Sequence, residues 1–192
     1  MKRKLLALLL GCLLLTGCSY TRERCTDVAM YEADRARIGS AAEMMPALSE
    51  LGEYRELRYA RKQTVDLIFC TDGLALFADY EPAAYAAQKE RLHAGLSFAS
   101  APLTDPCDPG YVLLAGDFIH RGYLMQAVPD ERYASWGGAC KSFMLVGFND
   151  EACSIAWLYH YNLDLDFIAS EGQDPAEAMR RRIDDYFLWR GK

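Results

Sequence analysis

The chain has only three histidines, and none of its cysteines form a CxxC pair. No cysteine–histidine grouping has the spacing of a zinc site. HExxH, P-loop, GxGxxG, EF-hand and SxxK patterns are all missing, which removes the usual signatures of zinc peptidases, nucleotide binders, calcium sensors and penicillin-binding enzymes. Basic residues are in deficit, with 21 Lys and Arg against 27 Asp and Glu. An acidic chain does not hold DNA or RNA by counterion release, so nucleic acid is excluded as a partner. Low-complexity tracts and signs of a second domain are lacking too. The apolar stretch at residues 5–15 falls short of the roughly 20 residues that a permanent membrane helix needs.

What is present begins with MKRKLLALLLGCLLLTGCSY. Lys2, Arg3 and Lys4 form a basic flank before the apolar stretch, the layout of a secretory signal. The stretch ends in Leu15-Thr16-Gly17-Cys18. This resembles the lipobox of bacterial lipoproteins, small residues just before a cysteine. The resemblance implies that Cys18 carries a diacylglyceryl group, that residues 1–17 are removed as a signal peptide, and that the new N-terminus takes an acyl chain such as palmitate. Several acyl chains hold a protein on a membrane where one binds only marginally. The expected location is therefore the extracytoplasmic side of a bacterial cell membrane, with the membrane itself as partner through the N-terminal lipid.

Loss of residues 1–17 removes three basic residues, leaving 18 against 27 acidic ones and a formal charge of −9. Such a domain is repelled by anionic lipid, so attachment falls to the lipid anchor. Residues 18–26 are expected to be the lipidated cysteine and a short tether, with Arg22 and Arg24 either near headgroups or solvated. Residues 27–192 are long enough for one domain with a sizeable core. Five cysteines remain after Cys18: Cys25, Cys70, Cys107, Cys140 and Cys153. The odd number leaves at least one thiol free or paired outside the chain. Cys107, in a proline-rich loop, is expected to be exposed, and Cys153 buried.

Residues 27–38 read as a helix stopped by Gly39. Ser40-Ala-Ala-Glu43 has the capping-box pattern and opens a second helical stretch to Gly52, kinked at Pro46. TVDLIFC and LALFADY flank Asp72-Gly73, a favoured hairpin turn, so Val65 is expected opposite Tyr80 and Leu67 opposite Ala78. A helix from Glu81-Pro82 runs to Gly95. Residues 100–110 are a loop, followed by strands near 111–118 and 122–128 and a second loop carrying Trp136. KSFMLVGF and CSIAWLYHYNLDLDFI form a second hairpin around Asn149–Ala152, with Phe148 opposite Cys153 and Met144 opposite Trp157. Asp174-Pro175 caps a last helix whose Ala176, Met179, Ile183 and Phe187 share one stripe, with Arg180, Arg181 and Arg182 on its solvent side. The expected fold is a single α+β domain: a mainly antiparallel sheet with two hairpins, helices packed on it, and an N-terminal helical segment.

In WLYHYNLDLDFI, residues 157–168, side chains alternate with the period of a strand. The polar teeth are His160, Asn162, Asp164 and Asp166. The plain reading is the solvated face of a half-buried strand. The sharper reading is a ligand-binding row; oxygen ligands suit hard cations, but residues two apart on a strand lie roughly 7 Å apart, so a metal would need ligands from elsewhere. No metal or cofactor is expected, and no catalytic residue is assigned. Gly95-Leu-Ser97-Phe-Ala99 follows a helix and ends in alanine, unlike a nucleophile elbow. Asp117 and His120 are either an acid–base pair or a turn, and His93 belongs to a helix surface. The 12 tyrosines fall largely at core-facing positions.

Residues 44–168, through MMPALSELGEYRELRYARK, LALFADYEPAAYAAQKERL and MLVGFNDEACSIAWLYHYNLDLDFI, are similar to an uncharacterised bacterial group with an MP-x-L-x-x-LG-x-Y opening. That resemblance implies one domain and assigns no activity. The expected role is a membrane-anchored, non-enzymatic binding or accessory protein, with an envelope protein or small ligand as partner. The alternative is an envelope enzyme, hydrolase-like, whose site is assembled across the sheet.

Overall fold

The computed structural model describes residues 20–66, 69–129, 142–162 and 165–192. The signal segment, Cys18, Trp136, Cys140, Asp164 and the expected Leu67–Ala78 pair lie outside these residues or involve one that does. The chain runs through β1 (Tyr20–Cys25), α1 (Tyr31–Arg37), α2 (Ala41–Met44), β2 (Glu56–Asp66), β3 (Phe69–Asp79) and α3 (Pro82–Gly95). It continues through β4 (Leu103–Thr104), β5 (Val112–Leu114), β6 (Phe118–His120), β7 (Tyr123–Val128), β8 (Ser142–Asn149), β9 (Ser154–Asn162) and α4 (Pro175–Tyr186). Seven strands form one antiparallel sheet in the order β1-β2-β3-β9-β8-β7-β6, and β4 and β5 form a separate pair. This is the single α+β domain expected from the sequence.

The sheet is covered on both faces. On one, Leu74, Leu76, Ala78, Met144, Val146, Ile155, Trp157 and Tyr159 pack under α1, α2 and α3 through Tyr31, Ile38, Met45, Tyr85 and Leu92. On the other, Ala75, Phe77, Phe143, Leu145, Ala156 and Leu158 pack under Met179, Ile183 and Phe187 of the C-terminal helix. The stripe anticipated on α4 is thus the one that docks, and the Asp174 side chain accepts from the Ala176 N–H as its cap. The helix from Pro82 to Gly95 also forms as expected.

Both hairpin registers differ from expectation. The first hairpin turns beyond Asp66, with Asp66 opposite Phe69 and Val65 opposite Cys70. Asp72 and Gly73 therefore lie inside β3, not in a turn. Gly73 is needed for a different reason: a Cβ there would collide with the Tyr186 carbonyl, where the end of α4 rests on the sheet. In the second hairpin Phe148 faces Ile155 and Met144 faces Tyr159, two residues from the expected pairing. Both shifts preserve parity, so Leu76, Ala78, Tyr80, Val146, Ile155 and Trp157 keep the face expected of them. The β6–β7 connection is the tight one. Arg121 and Gly122 both have positive φ, 49° and 82°, the geometry of a type I′ turn.

Other local expectations are corrected. The expected 27–38 helix splits into a short 3₁₀ turn at Val28–Met30 and α1. Ser40 makes no capping bond; its hydroxyl pairs instead with Tyr159 Oη at 3.0 Å and Ser142 Oγ at 3.2 Å. The expected strand at 111–118 is two short strands, β5 and β6, and residues 103–104 of the loop pair with β5. Cys153 is only half buried, at a positive φ, whereas Cys107 is exposed as expected. Residues 20–25, expected as tether, form the outer strand of the sheet, pairing with β2 from Tyr20–Val65 to Cys25–Arg61.

Candidate functional site

Pro46 shapes the site. Proline has no N–H, so the carbonyl four residues back, that of Ala42, loses its helical partner and α2 ends at Met44. Arg35 from α1 takes over, donating Nη2 to the Ala42 carbonyl at 2.7 Å and Nε to the Met45 carbonyl at 2.8 Å. Tyr31 Oη donates to the Pro46 carbonyl. On the opposite side Arg91, near the end of α3, donates to Gln88 Oε1 and to the Glu50 carbonyl. The Glu50 carboxylate in turn accepts from the Ala47 N–H at 2.7 Å.

Between these two braced segments lies a cleft of about 400 Å³. Met45, Leu92, Leu96, Met144 and Trp157 provide its apolar lining, and Arg35, Glu43, Glu50 and Arg91 its polar groups. Trp157 is 0 % exposed, and its buried indole N–H has no hydrogen-bond partner. A buried donor without a partner costs about 1–3 kcal/mol. The cleft thus combines an apolar floor, fixed guanidinium groups of both flanking segments and balancing carboxylates. Its volume is that of a small-molecule site. Sequence reading did not pick out this cleft; its one local signal is Met44-Met45-Pro46, where a helix must break beside two flexible apolar side chains.

The polar row separates. His160 is 0 % exposed on the α4-covered face of β9. It stacks on Phe143 with ring centroids 4.8 Å apart, and Tyr186 meets its edge at 5.3 Å. Neither ring nitrogen has a hydrogen-bond partner, and burial drives the pKa well below its ordinary value of 6.5, with the charge of Arg182 acting in the same direction. Asn162 is buried and donates to Thr71 Oγ1 at 2.8 Å. Asp166 is exposed, beyond the end of β9; Asp164 lies outside the described residues. The expected solvated face is therefore corrected: His160 and Asn162 are interior, His160 because Tyr186 and Phe187 at the end of α4 pack against it. The alternation also ends early, since Leu165 joins the α4-side core and Phe167 is exposed. Among the described residues no group of three or more His, Cys, Asp or Glu is placed to hold a metal ion.

The other candidates are scattered. His120 faces Asp184 at 3.4 Å, not Asp117, and Asp117 accepts from Gln126. Burial lowers the His120 pKa despite Asp184. His93, on the exposed side of α3, stacks on Phe148. None of these lines the cleft. A second polar cluster is internal: Arg61 donates to Asp72 at 2.9 and 3.0 Å and to Asp34 at 3.3 Å. Burial works against its charge, but the hydrogen bonds and charge of Asp72, with Asp34 and Glu23, leave its pKa raised. This network ties α1 to β2 and β3.

No match to the chain is found among protein-family models, curated proteins or solved structures.

Proposed function

We propose that this chain is a lipoprotein of the bacterial envelope, held by acyl chains on Cys18, that binds a small amphipathic molecule in the cleft over Trp157. The observation that carries the binding role is that cleft: two chain segments, each braced by an arginine, stand apart over an apolar floor of Met45, Met144 and Trp157. A ligand with an apolar body would lie on Met45, Met144 and Leu96. A polar edge would reach the arginines or carboxylates. Basic and acidic groups balance around the cleft, so the ligand need carry no net charge. Support for the anchor comes from the basic flank, the short apolar stretch and Leu15-Thr16-Gly17-Cys18.

The test uses the full chain made in a bacterial host and extracted gently from its membrane. Native mass spectrometry should find a chain starting at Cys18 with lipid mass, and a small molecule retained by the wild type. Gly95 lines the cleft and has open space around its Cβ position. Gly95→Trp should therefore fill the cleft without disturbing the fold, and abolish retention. An aromatic amphipathic dye, anilinonaphthalene sulfonate, gives a second readout. Equal dye binding by wild type and Gly95→Trp overturns the cleft as the binding site, and an unlipidated chain overturns the anchor.

A further inference from the structure

The outer strand β1 begins at Tyr20, two residues after Cys18. Two peptide steps span at most about 7 Å. If Cys18 carries lipid, there is almost no slack between anchor and sheet, and the Tyr20 end of β1 is held at the bilayer surface. Residues 21–24 of that strand are exposed.

The charges along the edge suit that position. Arg24 stands directly opposite Lys62 on β2. Like charges in a cross-strand pair destabilise a sheet in water. The neighbouring carboxylate of Glu23 is engaged by Arg61 at 3.1 Å. Lys62 donates to the Asp185 carbonyl, and the carboxylate of Asp185 offsets part of the repulsion from Arg24. Arg22 adds a further positive charge. Arg190 donates to the Thr26 carbonyl at 3.5 Å, just past the strand. The chain from Cys18 onward is otherwise strongly acidic, so this basic edge runs against the charge of the whole.

The edge is also poorly suited to adding another strand. The β1–β2 register shifts between Thr21 and Glu23, placing an irregularity at Arg22. Bulges and charged side chains are devices that blunt an open edge against pairing.

We infer that the β1 edge, through Arg22, Arg24, Lys62 and Arg190, rests on anionic lipid headgroups, so that the sheet stands upright on the membrane. This rests on lipidation of Cys18. Six strand spacings separate β1 from β6, which lifts β6 about 29 Å above the anchored edge. Trp157 on β9 is three spacings up, about 14 Å from that edge, so the cleft stays above the headgroups. The acidic remainder of the domain is repelled by the same lipids and favours the same posture.

The experiment uses the full lipidated chain in vesicles containing 30 % phosphatidylglycerol, with headgroup-labelled acceptor lipid. A donor fluorophore is placed by a non-natural amino acid at Thr21 in one sample and Ile119, on β6, in another. Mass spectrometry of each sample reports the lipid on Cys18. Strong energy transfer from position 21 and weak transfer from position 119 is expected. The contrast should shrink in the Arg24→Glu/Lys62→Glu double variant, in 1 M salt and in pure phosphatidylcholine. Equal transfer from the two positions on a chain with intact lipid mass overturns the upright posture and leaves the anchor standing. A contrast unchanged by the double variant overturns the role of the basic edge. A dimer joined through β1, seen by native mass spectrometry, replaces the membrane with a second copy as occupant. A chain without lipid overturns the anchor and this inference together.

Discussion

The imidazole of His160 lies almost parallel to the ring of Phe143, with centroids 4.8 Å apart and planes 5° apart. A residue that looks like a polar tooth in the sequence is therefore used as a flat aromatic. Its ring nitrogens have no hydrogen-bond partners and it stays neutral in the fold.

That arrangement sets a pH dependence. The folded-state pKa of His160 lies well below the unfolded value of 6.5. Above about pH 6.5 both states are neutral and stability is full; as pH falls below it, the unfolded chain takes up a proton that the folded one refuses. Stability should drop from about pH 6.5 downward until the folded pKa is reached. His120 is shifted in the same direction. The lowered pKa of Asp79 and Asp150 adds a separate loss of stability, but only below the carboxylate range near 3.8. His160→Phe should raise the melting temperature at pH 5 more than at pH 8 and leave a shallower slope from His120. Thermal unfolding across pH 4.5–8 checks this; an unchanged slope would count against it.

Arg61 is held between Asp72 and Asp34 in the interior. Arg61→Ala removes the buried cation between the two carboxylates, leaving Asp72 only Gln63 and Asp34 only Tyr59 and the exposed Arg37, and should destabilise by about 3 kcal/mol. Arg37 also bonds Asp34, at 2.7 Å, but its side chain is 63 % exposed, so Arg37→Ala should change stability by no more than about 1 kcal/mol. Urea unfolding of the two variants side by side distinguishes them.

Two glycines should respond oppositely to alanine. Gly73→Ala forces a Cβ against the Tyr186 carbonyl and should destabilise by about 2 kcal/mol or more, with loss of α4 docking. Gly95→Ala meets nothing within 4 Å in the last turn of α3, and should be neutral or stabilising by up to about 1 kcal/mol. Denaturant midpoints give the sign directly.

Arg35→Leu removes the donors that satisfy the Ala42 and Met45 carbonyls. A loss of about 1–3 kcal/mol is expected, together with weaker dye binding as that wall of the cleft loosens. Retained dye affinity in a destabilised variant would separate the structural role from the binding role.

Much of the fold was legible because it is local. Asp174-Pro175 marks a helix start whatever surrounds it, and Pro82 does the same for α3. Gly39 lies at φ +51° beyond the end of α1, as its position after the helical pattern suggests. The Asp72-Gly73 turn misled because the same dipeptide serves a different need. Asp72 holds Arg61 and Gly73 admits the end of α4, both set by partners far away in sequence. The cleft was not legible for the same reason. Its walls come from residues 35–50 and 91–96 and its floor from Met144 and Trp157.

The sequence by itself determined which side chains share a face along β3, β8 and β9, where α3 and α4 begin, and the motif that suggests a lipid anchor. These follow from backbone periodicity, proline and glycine geometry, and short-range side-chain capping. The tertiary structure decided the hairpin registers, the burial of His160, the conversion of residues 20–25 into a strand, and the cleft. Parity along a strand is a property of neighbouring residues, whereas register and burial depend on what packs across the sheet. β3 lies beside β9, and α4 covers both from the far end of the chain.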